Sequence, residues 1–426
     1  MLVRRLLRPV EQGIHVRAAV VLNRLLGFKA TVVEGFEFTD TELVVRVRLR
    51  AAFLVCPCGK RSQARYDSSR RRWRHVDFGR WRVVIEADIR RVDCRACGRV
   101  RTEWMPWARP GARHTQDFED MAAWLVRRMS KAGVAALLGT TWQTVDALVS
   151  RLADEHLDGD RLDTLARIGV DEIAYRKGRK FLTIVADHDT GRVVFVGEGR
   201  NQQVFADFLA SLGDTGRERI EAVSMDMAKT YRNAAALQVP HAKICLDPFH
   251  IIKWAGEALD LAYQTCREQD VKISVNPMTP AQTLQKVRGA LRQPAEKHDP
   301  QRAAIIEQLR RKHPRLHRAW QLKEDLRQLY QIPADQAPEH LRRWITRAKR
   351  SGINAFVTLA RRLRRHHDNI LNAIRLALSN SLLESINAGI RLIQRRAHGY
   401  ANLDNLIKMI HLCHGGTPAK LPTETH

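Results

Sequence analysis

Two aspartates close short apolar runs. Asp171 ends Ile168-Gly-Val-Asp171, and Asp226 ends Val223-Ser-Met-Asp226. In an open α/β sheet, reacting groups gather where strands end at their carboxyl side. Aspartates at the ends of neighbouring strands can therefore meet, although 55 residues separate these two in sequence. Two buried carboxylates close together repel and need a cation. Mg²⁺ takes oxygen ligands and keeps waters for a substrate phosphate. A two-ion site, with ions about 3.5–4 Å apart, activates a water or a 3′-hydroxyl and stabilises the leaving oxygen. A third carboxylate usually completes such a site. Taken alone, each aspartate reads as a helix cap or turn residue. The pair at matched strand ends weighs against that reading.

Asp247-Pro-Phe-His250 follows the next apolar run. Local features favour Asp247 as a helix cap with Pro248 at the first helical position. The functional alternative places His250 one turn in, pointing back at the carboxylates. Further on, Glu384, Asn387, Arg391 and Arg395 fall on one side of a helical pattern, with Leu383, Ile386, Ile390 and Ile393 on another. A carboxylate followed by cations along one face fits a metal ligand beside a phosphate-binding track. It also fits a solvated salt-bridge face.

Four of the seven cysteines form two tight pairs, Cys56/Cys58 and Cys94/Cys97, each followed by glycine. Without a secretory pattern, such clustering favours metal over disulfide. Four thiolates satisfy tetrahedral Zn²⁺ and leave no open position, so the expected role is structural. The basic hairpin between the pairs has little core of its own and would be held by the ion. Arg72 and Arg74 within it are candidate DNA contacts. The first pair, C-x-C, is tighter than the usual C-x-x-C.

These groups need elements to hold them. Thr31–Phe38 and Leu43–Arg50 read as strands, and Arg72–Phe78 with Trp81–Val92 as a hairpin joined at Gly79. Trp107–Gly111 is a Pro/Gly break. Lys131–Ser150 reads as two helices crossing through a tight turn. Its small residue is Ala135, its turn glycine Gly139, and its apolar positions Val134, Leu138, Val145 and Leu148. The second helix would expose Thr141, Trp142, Gln143, Asp146 and Ser150 to a major groove. Ile168–Asp171, Phe181–Ala186 and Val193–Val196 are strand-like, the last two joined by the turn Asp187–Gly191. Ala222–Met225 and Ala242–Leu246 follow, each trailed by a helical pattern. Residues 255–378 read as helices broken by prolines, and a last long helix runs from about Ser379 to Ala397. Met1–Arg24 reads as an amphipathic helix rather than a signal peptide.

The chain of 426 residues has 72 Lys and Arg against 46 Asp and Glu, a formal net charge of +26. That imbalance points to a polyanionic partner, most often nucleic acid. Residues 51–100 carry 13 basic and 5 acidic residues, and residues 281–370 carry 21 and 8. The stretch between them is nearly balanced and holds both aspartates. No run of about 18 uncharged apolar residues exists, which excludes a membrane-spanning helix. A hydrophobic share of 44% is ordinary for a globular core.

Taken together, these residues resemble a bacterial DDE transposase of the ISL-three insertion-sequence family. The most specific stretches are Gly169–Gly178, Ser224–Tyr231, Asp247–His250 and Ser379–Asn387. The resemblance implies a multidomain α+β chain: a β-rich zinc-binding module, a helix-turn-helix, and an RNase H-like α/β catalytic core interrupted by a helical insertion. The expected divisions are an N-terminal helix and hairpin at 1–55, the zinc module at 56–107 and the helix-turn-helix at 113–155. The core follows at 163–262 and 373–414, around an insertion at 263–372. It implies that Asp171, Asp226 and Glu384 are the catalytic, metal-binding carboxylates, with Mg²⁺ or Mn²⁺. Asp247 and His250 match the C/D-x-x-H signature of transposases with a helical insertion, which makes His250 an expected active-site residue. Arg391 matches the basic residue after the glutamate.

The implied activity is metal-dependent cleavage at terminal inverted repeats, followed by attack of the freed 3′-OH on target DNA. The implied partner is double-stranded DNA, bound by a homodimer or larger assembly, in a cytoplasmic, nucleoid-associated protein. Two rivals remain: a non-catalytic DNA-binding regulator, and an RNase H-like nuclease that cuts without joining. Convergence of the three carboxylates separates the first rival from the others.

Overall fold

A computed structural model describes residues 18–50, 54–62, 65–157, 162–178, 180–226, 229–268, 280–417 and 421. The chain divides into two compact units. One is Met1–Leu152 with Thr417–His426, and the other is Ala153–Gly416. Residues 1–17 of the expected N-terminal helix lie outside the described residues.

The first unit begins with α1 (Ala18–Leu26), β1 (Thr31–Phe38), β2 (Glu42–Leu49), β3 (Leu54–Val55) and β4 (Arg61–Ser62). β5 (Arg65–Arg74), β6 (Arg82–Cys94) and β7 (Arg99–Thr102) follow. The main sheet runs β1-β2-β6-β5, with β7 also on β6, while β3 and β4 pair separately. Valines and isoleucines alternate inward along β2 and β6, so Val45, Val83 and Ile85 are fully buried. Trp73 and Trp107 meet edge to face at 5.6 Å and fill the same core.

The expected Arg72–Phe78 strand is displaced. β5 starts earlier and stops at Arg74; the next residue, His75, is buried and its Nδ1 meets Thr115 Oγ1 at 2.8 Å. Only an isolated Phe78–Trp81 bridge remains around Gly79, whose φ of +59° suits glycine. Two helices, α2 (Gln116–Val126) and α3 (Lys131–Leu137), follow in the unit, and the unit boundary at Leu152 falls within α4 (Trp142–Leu157).

The second unit holds β8 (Arg167–Arg176), β9 (Lys180–Asp187) and β10 (Val193–Glu198), then α5 (Gln202–Ser211) and α6 (Gly213–Arg219). β11 (Ala222–Met225), α7 (Lys229–Gln238), β12 (Lys243–Leu246) and α8 (Pro248–Glu268) come next. The sheet order is β10-β9-β8-β11-β12. The first three strands are antiparallel and the last three parallel, with Val170 opposite Met225 and Met225 opposite Leu246. This register aligns the carboxyl ends of β11 and β12 with Val170 inside β8, so the residues that follow Val170, Met225 and Leu246 share one edge. Ile168, Val170, Val223 and Met225 are fully buried, because strands covered on both faces carry apolar side chains throughout.

The helices α9 (Pro280–Arg292), α10 (Pro300–Lys312), α11 (Pro314–Gln328), α12 (Ala337–Lys349), α13 (Asn354–Arg365) and α14 (His367–Arg375) follow. Several prolines read as breaks in fact open helices, at Pro280, Pro300 and Pro314. Proline lacks an N–H that the first turn does not use. The helices share a core around Leu326, Leu341, Trp344 and Phe356. α15 (Ser381–Arg396) and α16 (Leu403–His414) end the unit. α16 was not expected from the sequence; its apolar stripe, Leu406, Met409 and Ile410, is buried. Among the described residues, no helix is long and apolar enough to cross a membrane.

Candidate active site and metal centre

The zinc ligands converge. Cys56 Sγ lies 3.9 Å from Cys97 Sγ, and Cys58 Sγ lies 3.8 Å from Cys94 Sγ. All four sulfurs are within 4.8 Å of one another. A tetrahedral ion with Zn–S of about 2.3 Å spaces its sulfurs about 3.8 Å apart, so the donor set fits structural zinc. The turn behind each pair explains the glycines: Gly59 and Gly98 have φ of +82° and +61°. The Gly59 and Cys97 N–H groups donate to the carbonyls of Cys56 and Cys94 at 2.8 and 3.1 Å. The C-x-C spacing closes because the Cys56 N–H also bonds the Lys60 carbonyl at 2.9 Å. Backbone donation from Lys60 pulls the Cys58 thiol down to about 7, and hydrogen bonding with the other thiols, Cys58 first, pushes Cys97 up to about 12.

In the two-helix motif, Val134, Ala135, Leu138, Val145 and Leu148 are all buried, and Gly139 turns with φ of +57°. Ser130 caps α3 by accepting from the Gly133 N–H at 3.1 Å. Thr141, Trp142 and Gln143 are exposed, and Ser150 is half-buried. Two expected base-reading groups are engaged within the motif. Asp146 pairs with Lys131 at 2.5 Å, and Thr141 Oγ1 accepts from the Thr144 N–H at 3.2 Å. In the hairpin, Arg72 pairs with Glu42 at 2.8 Å. Arg74 pairs with Asp77 at 2.5 Å and lies over the Phe118 ring. Arg74 is thus largely buried and braces the fold instead of facing solvent.

The carboxylate site forms at the shared strand edge. Asp171 lies in β8 just past Val170, Asp226 follows β11, and Asp247 follows β12. Burial pushes the Asp171 carboxyl up to about 6, and the charge of Asp226 adds to the rise. The Glu172 N–H, donating to Asp171 Oδ1 at 2.8 Å, opposes it. Asp247, 3% exposed, accepts from His250 Nδ1 at 2.9 Å. A carboxylate only accepts, so Nδ1 carries the proton and Nε2 is left for a further partner. This bond raises the His250 pKa above the ordinary histidine range, and Asp247, Asp226 and Asp171 add charge attraction. Asp247 directly precedes α8 and also holds His250 within electrostatic reach of both other aspartates.

Glu384 is exposed in the first turn of α15. Among the described residues, the cysteine set is the only group of three or more ligating side chains closed to within 4.8 Å, so Asp171, Asp226 and Glu384 do not all approach that closely. α15 nevertheless docks on the aspartate strands. Asn387 Nδ2 donates to Asp171 Oδ2 at 2.9 Å, and Leu383 packs against Gly169. Arg391 and Arg395 are exposed farther along the helix. Asn387 is 4% exposed, and its Oδ1 has no hydrogen-bond partner. A raised, mutually repelling carboxylate beside an unsatisfied buried acceptor fits a hydrated divalent cation.

Sequence reasoning placed Asn387 on the polar face without giving it a role. It missed Asn380 and Ser224, which are buried behind the site, and the half-buried His188 beside them. The available signal was the polar pair Ser379-Asn380 before the Glu384 helix.

Comparison with known proteins adds an independent finding. A family model described as a transposase matches residues 168–410. A model of the helix-turn-helix domain of transposase family ISL3 matches residues 105–153. A model of the zinc-finger of transposase IS204/IS1001/IS1096/IS1165 matches residues 54–97. The transposase for insertion sequence element IS1557 of Mycobacterium tuberculosis is 34% identical over 431 residues, covering 94% of this chain and 97% of the relative. The transposase for insertion sequence element IS1001 of Bordetella parapertussis is 29% identical over 384 residues, covering 88% and 92%.

Proposed function

This chain belongs to the ISL3 family of transposases, and on that premise we propose that it binds the terminal inverted repeats of an insertion sequence and cuts and joins DNA by a DDE mechanism. The reaction is transesterification without a covalent protein intermediate. The observation that carries this reading is the electrostatic cluster of Asp171, Asp226 and His250 at one edge of β8, β11 and β12, with the Glu384 helix bonded to Asp171. We read the sheet as an RNase H-like core and α9–α14 as a helical insertion ahead of the Glu384 helix.

Asp171, Asp226 and Glu384 would hold Mg²⁺ or Mn²⁺, which when bound supplies charge to activate water or a 3′-hydroxyl and to stabilise the leaving oxygen. The chain's own groups prepare the site. Asn387 fixes one oxygen of Asp171. Asp247 keeps His250 protonated on Nδ1, so Nε2 faces a scissile phosphate as a cationic donor when both nitrogens carry protons. Arg391 and Arg395 extend a phosphate track along α15. Trp142 and Gln143 read the major groove, and the zinc module supports them. Pairing two DNA ends calls for at least a dimer during the reaction, in the bacterial nucleoid.

The test is strand transfer by wild type and by Asp226→Asn on DNA bearing the element's ends. Wild type gives joined product only with a divalent ion, and the variant gives none. Equal activity of the two proteins, or joining without metal, overturns the mechanism. Cleaved ends that are never joined reduce the protein to a nuclease.

A further inference from the structure

Asn380, the N-cap residue of α15, is 2% exposed. Its Oδ1 accepts from Ser224 Oγ at 2.6 Å, and its Nδ2 donates to the Val170 carbonyl at 3.4 Å. Its backbone N–H donates to Asp247 Oδ1 at 3.2 Å. One residue therefore ties β8 just before Asp171, β11 two residues before Asp226, and Asp247 after β12. Behind it, Ser224 Oγ accepts from His188 Nε2 at 2.7 Å, since its own proton goes to Asn380. Burial lowers the His188 pKa.

The other end of the same helical segment is tied as well. Asn387 Nδ2 bonds Asp171 Oδ2 at 2.9 Å. Glu384 lies between the two asparagines, four residues after one and three before the other, and its N–H bonds the Asn380 carbonyl at 2.9 Å. Positions −4 and +3 share a helix face with the residue between them. The helix rides directly on the strand: a Cβ at Gly169 would stand 2.8 Å from Leu383 Cδ1 and 3.0 Å from Ser224 Oγ.

We propose that Asn380 and Asn387 are positioning residues that clamp the Glu384 helix onto the aspartate-bearing strands, so that three carboxylates far apart in sequence serve one divalent ion site. Both are neutral, which matters at this spot. A charged residue in either place would add a buried charge beside Asp171 or Asp247, whereas the Asn387 carboxamide donates to Asp171, and the Asn380 carboxamide bonds Val170 and Ser224, without altering the charge the cation meets. Asn380 acts through backbone and Ser224, and Asn387 acts through Asp171.

The proposal rests on the three-carboxylate reading, so the test carries variants that separate them. Mn²⁺ binding to the full chain without DNA is measured by titration calorimetry for wild type, Asn387→Leu, Asn380→Ala, Ser224→Ala, Glu384→Gln and Asp226→Asn. Thermal unfolding is followed in EDTA alongside. Removing a group that orients a metal ligand weakens affinity about 10–100-fold. That loss is expected for Asn387→Leu and Asn380→Ala, with a smaller one for Ser224→Ala, which removes a single hydroxyl and leaves packing intact. Cleavage by the asparagine variants recovers at high Mn²⁺, and cleavage by Glu384→Gln does not. Unchanged Mn²⁺ affinity in both folded asparagine variants and Ser224→Ala, beside weakened binding in Glu384→Gln, overturns the clamp and leaves the carboxylate reading standing. Unchanged affinity in Glu384→Gln and Asp226→Asn as well overturns both. Should Asn380→Ala not fold, Ser224→Ala and Asn387→Leu decide the outcome.

Discussion

Replacing Asp171 by asparagine should stabilise the metal-free protein while abolishing its activity. Burial, with the charge of Asp226 added, moves this carboxyl from 3.8 to about 6. At about 1.4 kcal/mol per unit, that shift corresponds to roughly 3 kcal/mol. The sign follows from proton linkage. A carboxyl whose pKa is higher folded than unfolded binds its proton more tightly in the folded state. Its cost is therefore absent below about pH 4, grows between about 4 and 6, and is complete above. The amide removes the charge but can accept from only one of the two donors, the Glu172 N–H and Asn387 Nδ2. That loss returns about 1 kcal/mol, leaving a net gain of about 2 kcal/mol at pH 8. For a unit of this size the gain is roughly 4–8 °C in melting temperature.

The assay is scanning calorimetry in EDTA at pH 8 and pH 4, following the transition of the catalytic unit because a chain of two units does not unfold as one. Asp171→Asn should melt higher than wild type at pH 8 and no higher at pH 4. Mg²⁺ should raise the wild-type transition and leave the variant's unmoved. A variant no more stable at pH 8, or equally stabilised at both pH values, refutes the claim that a buried, repelled carboxylate sits at this strand edge.

Four further outcomes are expected. Zinc analysis should return one ion per chain, and Cys94→Ser or chelation should unfold the module around Val92 and Leu54, seen as loss of end binding; metal-free protein that binds ends normally contradicts this. Gln143→Ala should weaken binding to cognate ends by about 1–3 kcal/mol while hardly changing binding to random DNA, whereas Arg74→Ala should lower the melting temperature instead, because that guanidinium is engaged by Asp77 and Phe118; gel-shift and melting curves distinguish the two. Gly169→Ala should cost about 1–3 kcal/mol by overpacking against Leu383 and Ser224, and a variant with wild-type melting and Mn²⁺ affinity would show that α15 does not lie tightly on β8.

Local patterns proved most readable. The helix-turn-helix announced itself because Ala135, Gly139 and the apolar positions meet within a short stretch of chain, where sequence spacing and spatial spacing are nearly the same thing. The cysteine pairs were legible for a related reason: each pair sits in one turn, and only their meeting needed the fold. The arginines were not legible. Arg72 and Arg74 look alike in sequence, but Arg72 stays half exposed beside Glu42 while Arg74 is mostly covered beside Asp77, and no local rule says which cations of a basic strand face solvent. α16 escaped notice because its stripe is interrupted by His411 and Lys408, and burial beside the sheet, not propensity, sustains it.

By itself, the sequence determined the classes of chemistry present. Paired thiolates suit a soft metal, aspartates after buried strands suit a hard one, and the charge excess suits a polyanion. These follow from residue type, which folding does not change. Tertiary structure decided which of those groups act together. The parallel register of β8, β11 and β12 put Asp171, Asp226 and Asp247 on one edge, and the Asp247 bond settled the orientation of His250. Asn380 and Asn387 took on a role only when α15 crossed Gly169, bringing together groups more than 200 residues apart, such as Asn387 and Asp171. Hydrogen bonds depend on distances of tenths of an ångström, and such distances between remote segments exist only once the chain has folded.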